Sequence, residues 1–178
     1  MITHLPALQR VPQPWKNGGG VTREIAVFPD GAGMDDFHWR ISMAEVTDIR
    51  PFSLFPGVDR HLTVLSGRLQ LDFADRQYVL NPGRTLAFEG DAPASGTPLM
   101  PVTDLNVMTR RGKVSAEVRQ ITSSAILPSD LVVFVATRPV SVTANGARYA
   151  LETSDALMFE GLDGEPISAG DGYLVILR

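Results

Sequence analysis

The residues from Trp15 to Ile25, Trp-Lys-Asn-Gly-Gly-Gly-Val-Thr-Arg-Glu-Ile, form the densest group of chemically useful side chains in this 178-residue chain. Three successive glycines allow main-chain N–H groups to approach a ligand, and Lys16, Asn17 and Thr22 add a charge and hydrogen bonds beside them. An ordinary turn before a strand would also use such glycines. A nucleotide site is not expected, because no Gly-Lys-Ser/Thr closes the loop and the third spaced glycine of a dinucleotide fingerprint is missing.

Polar side chains recur with a period of two in the segments that follow. If a strand starts near Val21, Thr22 and Glu24 lie on one face, and the next strand places Arg40 and Ser42 together on one of its faces. An ion pair between Arg40 and Glu24 across neighbouring strands is therefore expected. For the pair alone, a structural salt bridge is the simpler interpretation, and a role in a pocket stays open.

A third polar cluster lies near the middle of the chain. In a strand, Asp104, Asn106 and Met108 project to the same face. Asp and Asn are poor strand formers, so their place here indicates either a polar pocket or a solvated sheet edge. The segment Arg110–Gly112 that follows is interpreted as a solvated turn.

The elements that must position these residues are strands. Thirteen prolines and sixteen glycines separate short runs that alternate with a period of two, and no window of a dozen residues keeps helical spacing. A dozen short strands imply an all-β sandwich or barrel. His61–Phe73 is predicted to be a hairpin with its turn at Leu65–Arg68, and Met34–Phe37 is the best place for a short helix. The other predicted strands are 21–27, 39–46, 77–80, 85–89, 104–109, 114–121, 131–137, 140–143, 148–151, 156–159 and 172–177.

An internal repeat indicates the architecture. A shift of 71 residues superposes six identities within 13 residues, namely Tyr78, Leu80, Leu86, Phe88, Glu89 and Gly90 on Tyr149, Leu151, Leu157, Phe159, Glu160 and Gly161. The same ungapped shift places Asp59 on Asp130 and Val64 on Val135. Two copies of one β unit are therefore predicted, as in duplicated small β-barrels or jelly rolls.

The segment Val64–Leu71, followed by Leu80-Asn81-Pro82-Gly83, resembles the cupin motif, and with the duplication it predicts a bicupin. In metal-binding cupins, two histidines and a glutamate lie near this point and a third histidine follows the Pro-Gly turn. Here Arg60 falls at the glutamate position, Ser53 and Phe55 fall near the histidine positions, and the turn is followed by no histidine. No metal and no other cofactor are therefore expected. An arginine suits a carboxylate, which guanidinium can bind through two hydrogen bonds.

Composition excludes several functional classes. Without cysteine, the chain has no disulfide, zinc–thiolate or iron–sulfur site and no cysteine nucleophile. A net charge of -4, from 16 basic and 20 acidic residues, gives no basic surface for nucleic acid. The first residues lack a signal-peptide pattern, and no stretch approaches the roughly 18 apolar residues of a membrane span. A cytoplasmic protein that binds neither nucleic acid nor membrane is expected.

Taken together, these segments resemble the HutD/Ves family of bacterial bicupins. The resemblance is carried by 15–25, Trp39–Ala44, Phe52-Ser53 with Phe55–Arg60, and Asp104–Met108, and it covers about the first 115 residues strongly. It implies a cytoplasmic protein associated with histidine utilisation. Such a protein would bind a small carboxylate metabolite of the urocanate or formylglutamate type and moderate the pathway.

Two functional hypotheses follow. In the first, a binding or regulatory bicupin holds a small anionic metabolite. Its candidate ligand-binding residues are Lys16, Asn17, Thr22, Glu24, Arg40, Ser42, Arg60, Asp104 and Asn106. In the second, a metal-independent isomerase or hydrolase acts on such a metabolite, with Glu24 or Asp104 as general base.

Residues 1–178 are expected to form a single bicupin unit. Its first barrel spans about 15–112 and its second about 113–178, with the N-terminal segment as a candidate for strand exchange into the second. Because strand edges would be exposed, a homodimer is a further expectation.

Overall fold

The computed structural model describes residues 1–15 and 18–178, and almost all of its regular structure is strand. The described chain divides into two compact units, residues 11–115 and residues 1–10 with 116–178. An all-β fold of two β units is thereby confirmed. Among the described residues no helix is long and apolar enough to cross a lipid bilayer.

The strands are numbered in chain order. They are β1 (Ile2–Leu5), β2 (Pro12–Pro14), β3 (Gly20–Phe28), β4 (Trp39–Val46), β5 (Arg50–Pro51), β6 (Val58–Phe73), β7 (Gln77–Leu80), β8 (Thr85–Glu89), β9 (Ala94–Arg110), β10 (Ala116–Ile121), β11 (Ala125–Ile126), β12 (Leu131–Ala136), β13 (Val140–Ala144), β14 (Ala147–Leu151), β15 (Ala156–Glu160), β16 (Pro166–Ser168) and β17 (Gly172–Leu177). One turn of 3-10 helix, Ala7–Gln9, follows β1. The predicted helix at Met34–Phe37 is wrong, because this segment forms turns.

In residues 11–115, two long strands, β6 and β9, pair side by side along their whole length. The first half of β6 also pairs with β8. The part of β9 beside it pairs with β4, which pairs in turn with β3, and β3 pairs with β2. The second half of β6 pairs with β7, and β9 there pairs with β5. Apolar side chains between the two halves form the core, including Leu62, Val64, Leu69, Leu71 and Val102.

The predicted hairpin at His61–Phe73 is wrong, because β6 bends there without reversing. Its pairing with β9 shifts register between Val64 and Leu69, so bulges turn the strand from one half of the sheet to the other. Gly67 makes the bend with φ of 81°, and a Cβ atom there would lie 2.0 Å from the carbonyl oxygen of Pro101. The predicted alternation of apolar residues along this segment is correct. The turn is wrong because a glycine such as Gly67 is typical both of a hairpin turn and of a bulged bend within one strand.

We expect Gly67→Ala to lower the free energy of unfolding by roughly 2 to 4 kcal/mol, since it adds a backbone clash to the cost of positive φ. Gly112→Ala is the matched control, because Gly112 has φ of 80° and open space around its Cβ position. It should cost only about 1 kcal/mol. Urea denaturation of both variants measures the difference, and equal losses would show that close packing at Gly67 is unimportant.

Residues 1–10 and 116–178 form two sheets, ordered β1-β15-β12-β17-β10 and β11-β16-β13-β14. The N-terminal strand β1 pairs with β15, where Ile2 lies opposite Phe159. Asp155 fastens the chain beyond β1, accepting hydrogen bonds from the Ala7 N–H at 2.7 Å and from the Glu152 N–H at 3.0 Å and lying 3.2 Å from His4 Nε2.

The strand pairings of the two units correspond, with one correction to the predicted register. The pairing of Leu69 with Leu80 recurs as Val140 with Leu151, which fits the 71-residue shift. Arg60 pairs with Phe88, however, while Phe159 pairs with Val132, so this part of β12 follows a shift of 72. The ungapped matches of Asp59 to Asp130 and of Val64 to Val135 are therefore each off by one residue. The corner is one residue shorter in the second unit, where Thr137, Arg138 and Pro139 replace the four residues 65–68.

Candidate functional site

A cavity of about 380 Å³ lies within residues 11–115, against one face of the larger sheet. Several strands and three loop segments contribute to its wall. The lining residues are Gln13, Pro14, Trp15, Thr22, Met34, Arg40, Ser42, Ala44, Pro51, Phe52, Ser53, Phe55, Arg60, Leu62, Asp104, Asn106 and Met108.

Strand register explains why the polar lining residues meet. Directly opposite residues of antiparallel strands share a face of the sheet. Asn106 of β9 lies opposite Ser42 of β4 and Leu62 of β6, and Met108 lies opposite both Arg40 and Arg60. The predicted common face of Asp104, Asn106 and Met108 is thus confirmed, and it faces the cavity.

Of the nine predicted ligand-binding residues, six line this cavity: Thr22, Arg40, Ser42, Arg60, Asp104 and Asn106. Glu24 is not among the lining residues and instead contacts Arg40. Lys16 and Asn17 lie outside the described residues. The binding of a ligand by any of them stays a prediction.

The Arg60 side chain is a buried cation at the cavity wall, with a relative exposure of 7%. Its Cζ lies 5.1 Å, 5.8 Å and 5.2 Å from the ring centroids of Phe52, Phe55 and Phe88. Nη2 donates to Asn106 Oδ1 at 3.3 Å, whereas the buried Nε has no hydrogen-bond partner among the described residues. Burial lowers the pKa of Arg60 to about 10, against the opposing effect of Asp104, so the group stays protonated at neutral pH.

Asp104 is the second buried charge of the cavity, with a relative exposure of 2%. Burial raises its pKa to about 7, although the positive charge of Arg60 acts in the opposite direction. In the described structure, Asp104 and Arg60 do not form an ion pair within 4 Å. The carboxyl therefore exchanges its proton near neutral pH while it faces a cation that it does not touch.

The predicted Arg40–Glu24 ion pair is confirmed. Arg40 Nε donates to Glu24 Oε2 at 2.7 Å, with side-chain exposures of 8% for Arg40 and 34% for Glu24. Glu24 therefore balances the charge of Arg40 from the neighbouring strand β3. This leaves Arg60 as the cavity-lining arginine without a carboxylate within ion-pair distance in the described chain.

The triple glycine has a packing role in the described part of its segment. A Cβ atom on Gly20 would lie 2.4 Å from the carbonyl oxygen of Glu45 and 3.2 Å from the Trp15 ring. Trp15 in turn donates from Nε1 to the Thr22 hydroxyl at 2.7 Å, which fixes the indole at the cavity wall. Gly20 thus lets the chain pass close enough for Trp15 to reach the cavity.

The aromatic side chains around Arg60 and the contacts of Arg110 are features of the site that the sequence patterns do not predict. Phe52 and Phe55 lie in the Phe52–Arg60 segment, whose sequence pattern indicates only that the ligands of metal-binding cupins are absent, and Phe88 lies on β8. The predicted solvated turn at Arg110–Gly112 is wrong for Arg110, which donates to the main-chain oxygens of Asp35 at 2.8 Å and Pro56 at 3.2 Å. It therefore ties together the loops that carry Met34 and Phe55. Main-chain acceptors have no residue signature, so sequence offered no signal for this contact.

Metal-ligating geometry is not found in the described residues, where no three His, Asp or Glu side chains form a group that could hold an ion. Ser53, Phe55 and Arg60, at or near the positions where metal-binding cupins have ligands, all line the cavity.

Comparison with known proteins identifies the family. Residues 7–175 match the family model described as HutD. The chain belongs to the HutD family. HutD from Pseudomonas fluorescens SBW25 has a similar structure, with a TM-score of 0.87 and 29% identity over 100% of this chain and 98% of that one. A conserved protein of unknown function, PA5104 from Pseudomonas aeruginosa PAO1, gives a TM-score of 0.88 at 27% identity over 100% and 99%.

A curated relative supports the same assignment. Protein Ves of Citrobacter koseri is 40% identical over 109 residues, which are 59% of this chain and 56% of that protein. The match thus spans little more than half the length of that relative. A cupin barrel protein from Leptotrichia buccalis, with a TM-score of 0.58 at 9% identity over 97% of this chain and 98% of that one, shows the cupin fold alone. The predicted resemblance to HutD/Ves within the cupin superfamily is confirmed.

Three polar residues of the site in this HutD chain, Arg60, Asp104 and Asn106, have no polar side chain at the corresponding positions of the second unit. By strand pairing, the positions of Arg60 and Asn106 correspond to Val132 and Leu174, which lie in the apolar core of residues 1–10 and 116–178. The position of Asp104 corresponds to Gly172. Of the two copies of these strands in the described chain, the copy in residues 11–115 carries the buried charges of Arg60 and Asp104.

We expect Asp104→Asn to stabilise the protein at alkaline pH. A folded-state pKa near 7 against an ordinary value of 3.8 means that the folded protein keeps a proton that the unfolded chain loses between about pH 4 and 7. The stability of the parent protein therefore falls as pH rises through this window, and the loss persists above it. Asn removes this cost, for a gain on the order of 1 to 3 kcal/mol at pH 8 and little at pH 4.

Urea denaturation at pH 4 and pH 8 measures this difference. Asp75→Asn, which removes an exposed carboxylate, is the control and should show no such pH-dependent gain. An equal effect of Asp104→Asn at both pH values would contradict the raised pKa.

Proposed function

We propose that this HutD protein binds a small carboxylate metabolite in the cavity of residues 11–115. The observation that carries the proposal is the Arg60 guanidinium, buried among three phenyl rings with Nε lacking a partner in the described structure. A buried charge without full hydrogen bonding is costly, and an anionic ligand would offset that cost. Carboxylates match the planar array of guanidinium donors.

The rest of the cavity suits a small ligand with a flat body. Phe52, Phe55 and Trp15 provide apolar surfaces, while Ser42 and Asn106 offer polar groups to orient the ligand. Pockets with apolar walls and a few convergent polar groups are typical of metabolite sites. Arg40, balanced by Glu24, adds donors on the opposite strand without adding net charge.

The family resemblance suggests which metabolite to test. We propose that the ligand belongs to histidine utilisation, with urocanate and N-formylglutamate as the first candidates, and that binding moderates the pathway. The family name supports this direction, and the cavity chemistry is compatible with either carboxylate.

Replacement of Arg60 should weaken carboxylate binding. We expect Arg60→Ala to raise the Kd for the bound carboxylate by about 30- to 150-fold, equivalent to about 2 to 3 kcal/mol for a charge-assisted hydrogen bond. Arg60→Lys should recover only part of the loss, because a point charge cannot reproduce the two-pronged geometry. Calorimetry with urocanate and N-formylglutamate measures the effect.

The exposed Arg84 supplies the matched control, because Arg84→Ala removes an equal charge away from the cavity lining. A melting curve for each variant verifies folding. Parental affinity in a well-folded Arg60→Ala protein would move the ligand site elsewhere.

A second candidate function is catalysis, favoured by Asp104. A buried carboxyl with pKa near 7 in a cavity has the proton affinity that a general base needs. A metal-independent isomerase or hydrolase would convert urocanate or N-formylglutamate, and Asp104→Asn should abolish product formation. Chromatography of each metabolite after incubation with the purified protein decides between the two functions, since a binding protein returns the metabolite unchanged.

A further inference from the structure

Arg60 and Asp104 face the same cavity without forming an ion pair. Both project from neighbouring strands of one sheet face, Arg60 opposite Met108 and Asp104 opposite Val64, four positions apart along β9. Asn106 lies between them in register and already accepts a hydrogen bond from Arg60 Nη2. A carboxylate that binds Arg60 from this cavity therefore shares the cavity wall with Asp104.

A bound carboxylate would place a second anion beside Asp104. Two carboxylates that share a poorly solvated site cannot both stay ionised at low cost, and one of them then takes up a proton. The ligand carboxylate is held by a guanidinium and Asp104 is not, so Asp104 is the group that gains the proton. Its buried position, with 2% exposure, removes the water that would otherwise screen the repulsion.

The other charged groups around Asp104 do not remove this repulsion. On β4, Arg40 is already paired with Glu24 of β3 at 2.7 Å. On β6, Arg60 is the cation that receives the ligand. The loop beside Met34 carries the exposed Asp35 and Asp36, which are negative, and Lys16 lies outside the described residues.

We propose that the carboxylate ligand enters this cavity together with one proton, and that neutral Asp104 holds the proton and donates it in a hydrogen bond to the bound carboxylate. The inference rests on the proposed binding function. It makes Asp104 a specificity-determining residue, because a neutral carboxyl can act as a donor to an anionic oxygen whereas an ionised one would repel it. The cavity then selects a carboxylate through one permanent cation and one acquired donor.

Calorimetry with urocanate tests the proton directly. At pH 8.0 the binding heat is measured in phosphate and in Tris, whose heats of ionisation differ, and the difference gives the number of protons taken up. We expect close to one proton per urocanate at pH 8 and above. The Kd should rise about tenfold between pH 7.5 and 8.5, as it does when one proton must bind with the ligand.

Asp104→Asn separates Asp104 from other titrating groups. Asn supplies a neutral donor at every pH, so the variant should bind urocanate without proton uptake, with a Kd that is constant from pH 7.5 to 8.5 and lower than the parental Kd at pH 8.5. His38→Gln is the control, because His38 is a titratable group that contacts Lys113 and is not among the cavity-lining residues. It should keep the proton uptake of the parent protein.

The outcomes are distinguishable. Binding without proton uptake in the parent protein, or uptake that persists in Asp104→Asn, would overturn the role of Asp104 while the binding function stands. Absence of binding by urocanate and by N-formylglutamate at any pH from 6.5 to 8.5 would overturn the proposed function and this inference with it.

Discussion

The buried guanidinium of Arg60, surrounded by apolar side chains, is the constraint on which the other unusual features of residues 11–115 depend. Arg60 stands at a position where a β-barrel normally places a hydrophobic side chain, and three phenyl rings enclose it. Burial of that charge is costly, so its neighbours must compensate. Asn106 accepts a hydrogen bond from Nη2 of Arg60, and the negative charge of Asp104 partly offsets the cost of burying the guanidinium. Nε of Arg60 stays buried without a hydrogen-bond partner among the described residues. The second unit, with Val132 at the corresponding position, fills the same space with apolar side chains.

Much of this arrangement could be predicted from the sequence, because strand periodicity is local. The bounds of β4, β7, β8 and β17 match the predicted ones, and alternation correctly placed Asp104 and Asn106 on one face. The Arg40–Glu24 pair followed from the same periodicity applied to two adjacent strands. Where the period of two fixes the face and neighbouring strands pair in order, a sequence specifies which side chains meet.

Other features depend on distant contacts that the sequence does not encode locally. The bend at Gly67 and a hairpin turn share one glycine signal, and only the pairing of β6 with β9 distinguishes them. The bend is one residue shorter in the second unit, so the repeat changes from a shift of 72 residues before the bend to a shift of 71 after it. The six identities all follow the shift of 71 and give no sign of this change. Arg110 binds main-chain oxygens of two loops, and the pKa of Asp104 follows from burial, which no motif displays.

Val132, Gly172 and Leu174 of the second unit stand in place of Arg60, Asp104 and Asn106, and this difference also determines the stoichiometry of a ligand that needs those three side chains. In the described strands, one copy of the duplicated fold provides a guanidinium and a carboxyl, so a single chain would take up one such molecule. Occupancy of a single chain by such a ligand would then follow a simple hyperbola in ligand concentration, without the cooperativity that two linked equal sites could produce. A chain with one such site would respond gradually over a wide range of ligand concentration, whereas two positively coupled sites would give a steeper response.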